Sequence, residues 1–310
     1  MIALALHGGA GTIPKGSLTP DQETQYLDGL RQARDVGFAI LQKGGAALDA
    51  VVAAVTVLED CPLFNAGRGA VFNHEGGHEM DAAVMSGSAR QSGAVCGVSG
   101  VKNPVQLARL VMQQTDHVIL SGKGAEAFAQ SQNVPLEPES YFYNELRHQQ
   151  WQEALAAGRV QLDHTAGGGK KMGTVGCVAL DISGNLAAAT STGGLTNKRW
   201  GRIGDTPIIG AGTWADNATC AVSCTGVGEY FIRAVVGHEI DALMRYKGLS
   251  LREACDEVVL KQLVKSGGEG GLVAVDQEGN LALVFNSDGM YRAWKTEQDA
   301  GVEIYGTDSK

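Results

Sequence analysis

The 310-residue chain has no cysteine framework, no long apolar run and no basic cluster, and each absence removes a class of protein. Its six cysteines, at 61, 96, 177, 220, 224 and 255, are too dispersed for a C-x-x-C site or a disulfide ladder. They read as buried free thiols in a reducing cytoplasm. No apolar run approaches the ~20 residues a membrane helix needs. The opening MIALALHGGAG also lacks the charged start and long apolar centre of a signal peptide. A net charge of −9 without clustered Lys or Arg argues against nucleic acid or an acidic membrane as partner. Charged residues are only 19% and hydrophobic ones 44%, which describes a globular chain with a sizeable core. The 43 glycines are about twice the usual ~7% share, and their scatter indicates tight turns and close backbone approaches.

Residues 2–6 form an apolar run ending in His7-Gly8-Gly9-Ala10-Gly11, a core strand entering a glycine turn. The HGG start invites comparison with an esterase oxyanion loop, but no G-x-S-x-G completes that arrangement. Thr19-Pro20 starts a helix running to about Lys43, and a nearly all-apolar second helix covers residues 47–59. A turn-rich loop, residues 61–69, leads to an expected strand at 70–72. His74 and His78 flank a Gly pair, and in a turn they share no helical face, so a solvated turn is expected in place of a metal site. Strands are expected at 81–85 and 94–98, and helices at 104–114 and around 124–130. Residues 141–157 read as a polar surface helix.

Beyond residue 166 the pattern changes. A Gly-Lys run, GGGKK, gives way through Met172-Gly173 to Thr174 and an apolar run. Strand, turn, strand at 174–190 recurs at 272–285 with the same Asp-x-x-Gly-Asn-Leu-Ala signature. Between the copies lie a strand at 218–224 and helices at 228–246 and 250–265. Helices in blocks around strands covered on both faces fit an α+β fold, a four-layer αββα sandwich.

A slack segment meeting a core strand at a Gly-Thr bond suggests self-cleavage between Gly173 and Thr174. Thr174 would then be nucleophile, with its own freed amine, unperturbed pKa near ~7.7–8, as base. Thr190-Ser191-Thr192-Gly193-Gly194 sets hydroxyls at the end of the next strand. Arg202 and Asp205 share a glycine-containing turn and suit the two charges of an amino acid, or else only close their own turn. Thr225-Gly226-Val227-Gly228-Glu229 opens a helix after a core strand, which suits an oxyanion or a plain helix cap.

Six segments in order, HGGAG, LFNAGRGAVF, GTVGCVALD, ATSTGG, KRWGRIGDTPIIGAG and SCTGVGE, closely resemble the plant-type L-asparaginase/isoaspartyl aminopeptidase family of N-terminal nucleophile hydrolases. The resemblance spans residues 1 to about 290. It implies one domain, 1–310, cut into an α subunit 1–173 and a β subunit 174–310 and assembled as (αβ)₂. It implies Thr174 as nucleophile, Thr192 assisting, Thr225 and Gly226 as oxyanion hole, and Arg202 and Asp205 binding the substrate α-carboxylate and α-amine, with Asn65 in support. A structural sodium ion on the carbonyls of Leu58, Glu59, Cys61, Phe64, Ala66 and Arg68 is implied, with no organic cofactor. The implied substrates are β-aspartyl dipeptides and L-asparagine. A glycosylasparaginase of the secretory route, a taspase-like protease and an uncleaved, non-catalytic amino-acid binder are the alternatives.

Overall fold

A computed structural model describes residues 1–11, 13–158 and 173–306; the Gly-Lys run expected to supply slack before Thr174 lies outside the described residues. Its strands are β1 (Ala3–Gly11), β2 (Met80–Ser86), β3 (Ser92–Val98), β4 (Ile119–Ser121), β5 (Val175–Leu180), β6 (Leu186–Thr192), β7 (Thr213–Ala215), β8 (Cys220–Gly226), β9 (Gly270–Asp276), β10 (Leu281–Phe285), β11 (Gly289–Thr296) and β12 (Ala300–Tyr305). Helices are α1 (Pro20–Gln42), α2 (Ala47–Asp60), α3 (Pro104–Gln114), α4 (Gly122–Ser131), α5 (Glu139–Phe142), α6 (Glu145–Ala156), α7 (Gly228–Ala234), α8 (Val236–Lys247), α9 (Leu251–Asp256) and α10 (Val264–Ser266). A π-helical stretch, Glu257–Leu263, joins α9 to α10.

One sheet orders its strands β12-β11-β1-β5-β6-β2-β3-β4, antiparallel except for the β3–β4 pair, and the other orders them β10-β9-β8-β7. The two sheets face each other through β1, β5 and β6 against β7, β8 and β9. Side-chain size explains the close approach. On β1, Leu4 and Leu6 face a core shared with α1–α3, whereas the alternate residues Ala3 and Ala5 face the second sheet. The same alternation places Cys177 and Ala179 of β5 toward the helices and Val178 and Leu180 between the sheets. Helices α8 and α9 cover the second sheet from the other side. Apolar residues on consecutive positions therefore mean strands buried on both faces.

Local rules account for the helix limits. Thr19 caps α1 in a reciprocal box with Gln22 behind Pro20, and Ser250 does the same with Glu253 for α9. The helix expected across 228–246 is broken at Val235, which takes a left-handed conformation. The expected strand at 70–72 does not form. Its backbone is satisfied by the Asn65 side chain, which accepts from the Val71 amide, and by Asn197, whose amide donates to the Phe72 carbonyl. The polar helix expected at 141–157 is two helices, α5 and α6, with Phe142, Arg147, Gln150 and Ala154 buried, so it is an integral packing element. The turn expected at 74–78 does form, with Glu75 exposed at its tip, but its histidines are held: His74 bonds Asn197 and buried His78 packs on Phe72. Strands β4, β7, β11 and β12 have no counterpart in the sequence reading.

The repeated hairpin motif proves to be local chemistry used twice. Asp181 accepts from the amides of Ser183 and Asn185, and Asp276 from those of Glu278 and Asn280, all at 2.9 Å. One copy forms β5–β6 at the centre of the larger sheet, and the other forms β9–β10 at an edge of the smaller.

At the end of α2, the fully buried Glu59 carboxyl ties this helix to the central sheet. It accepts from the Ser191 hydroxyl at 2.6 Å and the Val105 amide at 3.0 Å, while its second oxygen has no partner. Burial pushes its pKa up to about 8, against the pull of these donors, so the carboxyl is largely neutral at pH 7. A raised folded-state pKa means that stability is full below the unfolded value near 4.5 and declines as pH rises toward about 8. Glu59→Gln should remove that decline, so that its Tm relative to wild type improves between pH 5 and pH 8. A constant Tm difference across that range would show that Glu59 does not carry this linkage.

Candidate active site

Thr174 immediately precedes β5, and the antiparallel register that pairs Val175 with Ser191 sets Thr174 beside Thr192 at the end of β6. The Thr174 hydroxyl donates to Thr192 Oγ1 at 3.1 Å, and the same oxygen accepts the Gly194 amide at 3.0 Å. With two donors directed at Thr192 Oγ1, its own proton is free to turn into the cleft. Both threonines are buried, at 8% and 3% exposure. Among the described residues, no carboxylate or imidazole hydrogen-bonds the Thr174 hydroxyl.

The cleft at Thr174 is lined by Ala10, Asn65, Thr192, Arg202, Asp205 and Gly226 among others. Five elements distant in sequence thus bring the expected residues together. Thr225 is fully buried and its Oγ1 accepts the Ala10 amide at 3.2 Å. A β-carbon on Gly173 would lie 2.9 Å from Thr225 Oγ1, so the Thr225–Gly226 turn flanks the residue just before Thr174. Gly9, at φ +114°, is the matching wall: a β-carbon there would come within 2.4 Å of the Gly173 nitrogen.

Arg202 and Asp205 converge on one point. A β-carbon on Gly228 would lie 2.9 Å from both Arg202 Nη2 and Asp205 Oδ1. They do not merely close their own turn, because the guanidinium is held bidentately by Glu229, Nε to Oε1 at 2.8 Å and Nη2 to Oε2 at 2.9 Å. Glu229 stood within a motif read for its glycines, and nothing in its spacing from Arg202 announces the pair. Asn65 does not bond Arg202. Its amide donates to the Gly194 carbonyl at 2.8 Å and its oxygen accepts the Val71 amide, which fixes the turn after Thr192 from below.

Lys198 is a further residue that sequence reasoning missed. It is buried, its ammonium donates to the Glu79 carbonyl at 2.7 Å, and a β-carbon on Gly194 would lie 3.0 Å from its Nζ. Burial lowers its pKa against the pull of Asp81 and Glu79.

The loop after α2 presents neutral backbone oxygens, the donor chemistry of a hard cation. A β-carbon on Gly67 would meet the Glu59 carbonyl oxygen at 2.5 Å, and one on Gly69 would meet those of Phe64 at 2.0 Å and Pro62 at 2.9 Å. These close approaches leave room only for glycine at 67 and 69, and within the loop the Phe64 and Ala66 carbonyls accept the Ala66 and Gly69 amides. The described residues contain no cluster of three or more His, Cys, Asp or Glu suited to a metal.

A hydroxyl at a strand start, a guanidinium, a carboxyl and a glycine-ended strand share this cleft, and the class of the chain, an amidohydrolase, follows from its relatives. The family described as asparaginase matches residues 1–304, and the chain belongs to that family. It is 53% identical to an isoaspartyl peptidase of Salmonella typhimurium over 94% of either chain, and 52% identical to one of Escherichia coli over 94% of this chain and 92% of that protein. A plant-type L-asparaginase of Pyrococcus abyssi is 42% identical over 97% of this chain and all of its own length.

Asp205 is fully buried and one of its oxygens has no partner. Burial raises its pKa to about 7, against the lowering influence of Arg202. An ammonium group needs the ionised carboxylate, so binding of an amino-acid ligand here should strengthen as pH rises and level off above about 7. Below that value, affinity should fall about tenfold per pH unit, the response of a single titrating group. Calorimetric titration with L-aspartate from pH 5 to 8 measures this, and pH-independent affinity would remove Asp205 from ammonium binding.

Proposed function

We propose that this chain is an autoproteolytically activated threonine hydrolase that cleaves β-aspartyl dipeptides and the side-chain amide of L-asparagine. The observation that carries the reading is the Thr174 hydroxyl, bonded to Thr192 at 3.1 Å with no imidazole or carboxylate among the described residues bonded to it. A threonine hydroxyl needs a base to act as a nucleophile, and its own α-amine is the nearest available group once the Gly173–Thr174 bond is cut. The names of the relatives, isoaspartyl peptidase and plant-type L-asparaginase, support the same substrates.

On this reading the cut leaves an α subunit 1–173 and a β subunit 174–310 within one domain, arranged as a four-layer αββα sandwich. The packing of α1–α3 and of α8–α9 on opposite sides of the paired sheets supports that arrangement. The Thr174 hydroxyl passes its proton to the freed amine and attacks the β-carbonyl of the aspartyl unit. Thr225 and Gly226 hold the oxyanion, and the amine returns the proton to departing ammonia or amino acid. Water then opens the β-aspartyl ester by the same relay. Arg202 holds the α-carboxylate and Asp205 the α-ammonium, the end that both substrates share. Asn65 acts through the Gly194 turn. Because Glu229 occupies the Nε–Nη2 edge of Arg202, the substrate carboxylate takes the Nη1 side.

A sodium ion would sit on the carbonyls of Leu58, Glu59, Cys61, Phe64, Ala66 and Arg68 and brace the loop that carries Asn65. No organic cofactor enters the scheme. Self-association as (αβ)₂ and a cytoplasmic location belong to the same proposal. Six free cysteines support a reducing compartment and weigh against the disulfide-bearing glycosylasparaginase alternative, and no helix of the described residues is long and apolar enough to cross a membrane.

Denaturing intact-mass measurement should find two fragments, 1–173 and 174–310, and Thr174→Ala should remain one inactive chain. A single wild-type chain that still hydrolyses L-asparagine would overturn the mechanism. Arg202→Ala should leave cleavage intact while lowering kcat/KM for both substrates by about a hundredfold, the loss of a charge-assisted contact. Retained turnover in that variant would remove Arg202 from substrate binding.

A further inference from the structure

Beneath Thr174 the inter-sheet core contains a run of polar side chains that the scheme above does not use. The β1–β5 ladder stops at the pair His7–Gly176, because β1 carries an extra residue, Gly8, in its pairing with β11. The Thr174 carbonyl, just beyond the end of that ladder, is met by a side chain: His7 Nδ1 lies 3.0 Å away. On the other side of the ring, Nε2 lies 2.9 Å from Ser223 Oγ, on β8 of the opposite sheet. Ser223 Oγ is 2.8 Å from Thr190 Oγ1 on β6, and the Thr213 hydroxyl of β7 donates to Thr190 Oγ1 at 2.7 Å. His7, Thr190, Thr213 and Ser223 are all at 0% exposure.

The direction of these bonds follows from their chemistry. A carbonyl oxygen only accepts, so Nδ1 carries the proton. Burial pushes the His7 imidazole down to about 3, so the ring is neutral and Nε2 only accepts. Ser223 must then donate to Nε2, which leaves its oxygen to accept from Thr190, whose oxygen accepts from Thr213. Every proton in the chain points toward Thr174, an alignment in which each bond polarises the next. Space for it comes from Gly176, where a β-carbon would lie 1.9 Å from Ser223 Oγ and 2.6 Å from His7 Nε2.

We propose that His7 is a positioning residue for the nucleophile: its Nδ1–H, held by the Ser223–Thr190–Thr213 hydroxyl chain, anchors the Thr174 carbonyl. The proposal rests on Thr174 acting as an N-terminal nucleophile. A residue that has become a chain terminus frays unless it is tied down. The bond from His7 fixes the carbonyl and α-carbon, and the bond to Thr192 holds the hydroxyl, so amine and hydroxyl keep one mutual orientation. Since His7 precedes the scissile bond and Thr174 follows it, the contact also joins the two fragments across the cut.

The test compares cleaved wild-type enzyme with His7→Asn, which retains an N–H donor near the position of Nδ1, with His7→Leu, which does not, and with Ser223→Ala. Misplacing a reacting group by about 1 Å costs on the order of a hundredfold in rate. His7→Leu should therefore lower kcat for L-asparagine by roughly 10–100-fold. KM, set by Arg202 and Asp205, should stay within about twofold of wild type. His7→Asn should recover most of the rate, and Ser223→Ala should fall between them. A Leu variant at wild-type kcat, or an Asn variant as impaired as Leu, would overturn the proposal. A second measurement is independent of turnover and of variant folding. Imidazole ¹⁵N shifts of wild-type His7 should report a neutral ring protonated at Nδ1 from pH 5 to pH 9. A ring that titrates near 6.5, or one protonated at Nε2, would refute the grip even if the hydrolase reading stood. Conversely, an inactive, uncleaved wild type would refute that reading while the nitrogen shifts still decided the contact.

Discussion

Everything at the cleft depends on the register between β5 and β6. Pairing Val175 with Ser191 is what brings the Thr174 and Thr192 hydroxyls to 3.1 Å. A slip of one residue would turn both side chains to the opposite face and drive Cys177 and Ala179 out of the helix-side core. The hairpin turn protects that register, because Asp181 accepts two amides of the turn and also the Ala47 amide at the start of α2. One buried carboxylate thus aligns the hairpin and seats the helix against it.

Close approach is the second constraint, and glycine and alanine provide it. Ala3 and Ala5 of β1, Gly176 of β5 and Ala188 of β6 let the sheets come near enough for side chains of opposite sheets to bond each other, as His7 bonds Ser223. Gly9 and Gly176 stand where any β-carbon would collide with the backbone of Gly173 or with the Ser223 hydroxyl. The high glycine content of the chain is in part the cost of bringing so many strands to one point.

Electrostatics then separates the roles of the buried groups. Where burial is met by neutral donors alone, as at Glu59, the carboxyl is largely neutral and acts as a structural hydrogen-bonding group. Asp205 is pushed only to about 7, because a guanidinium nearby offsets part of its burial. His7 is driven the other way and remains a neutral donor throughout the physiological range. Glu229 adds a charge at the rim that holds Arg202 in place, which orients the guanidinium before any ligand arrives.

Local chemistry was legible in the chain itself: the capped starts of α1 and α9, the doubled Asp-x-x-Gly-Asn turn, and strands apolar on successive positions. The motif order also identified the family and the candidate residues Thr174, Thr192, Arg202, Asp205, Thr225 and Gly226. These signals are short-range or one-dimensional, and a sequence records them directly. Distances between elements are not recorded that way. That Glu229 rather than Asp205 pairs with Arg202, that Asn65 reaches Gly194, that Lys198 lies under the same turn and that residues 70–72 give up strand pairing to side chains of distant loops were all decided by packing. So was the contact between His7 and Thr174, 167 residues apart, since only the pairing of β1 with β5 places an imidazole where that strand ladder ends, and only the stacking of the second sheet brings Ser223 to its far side.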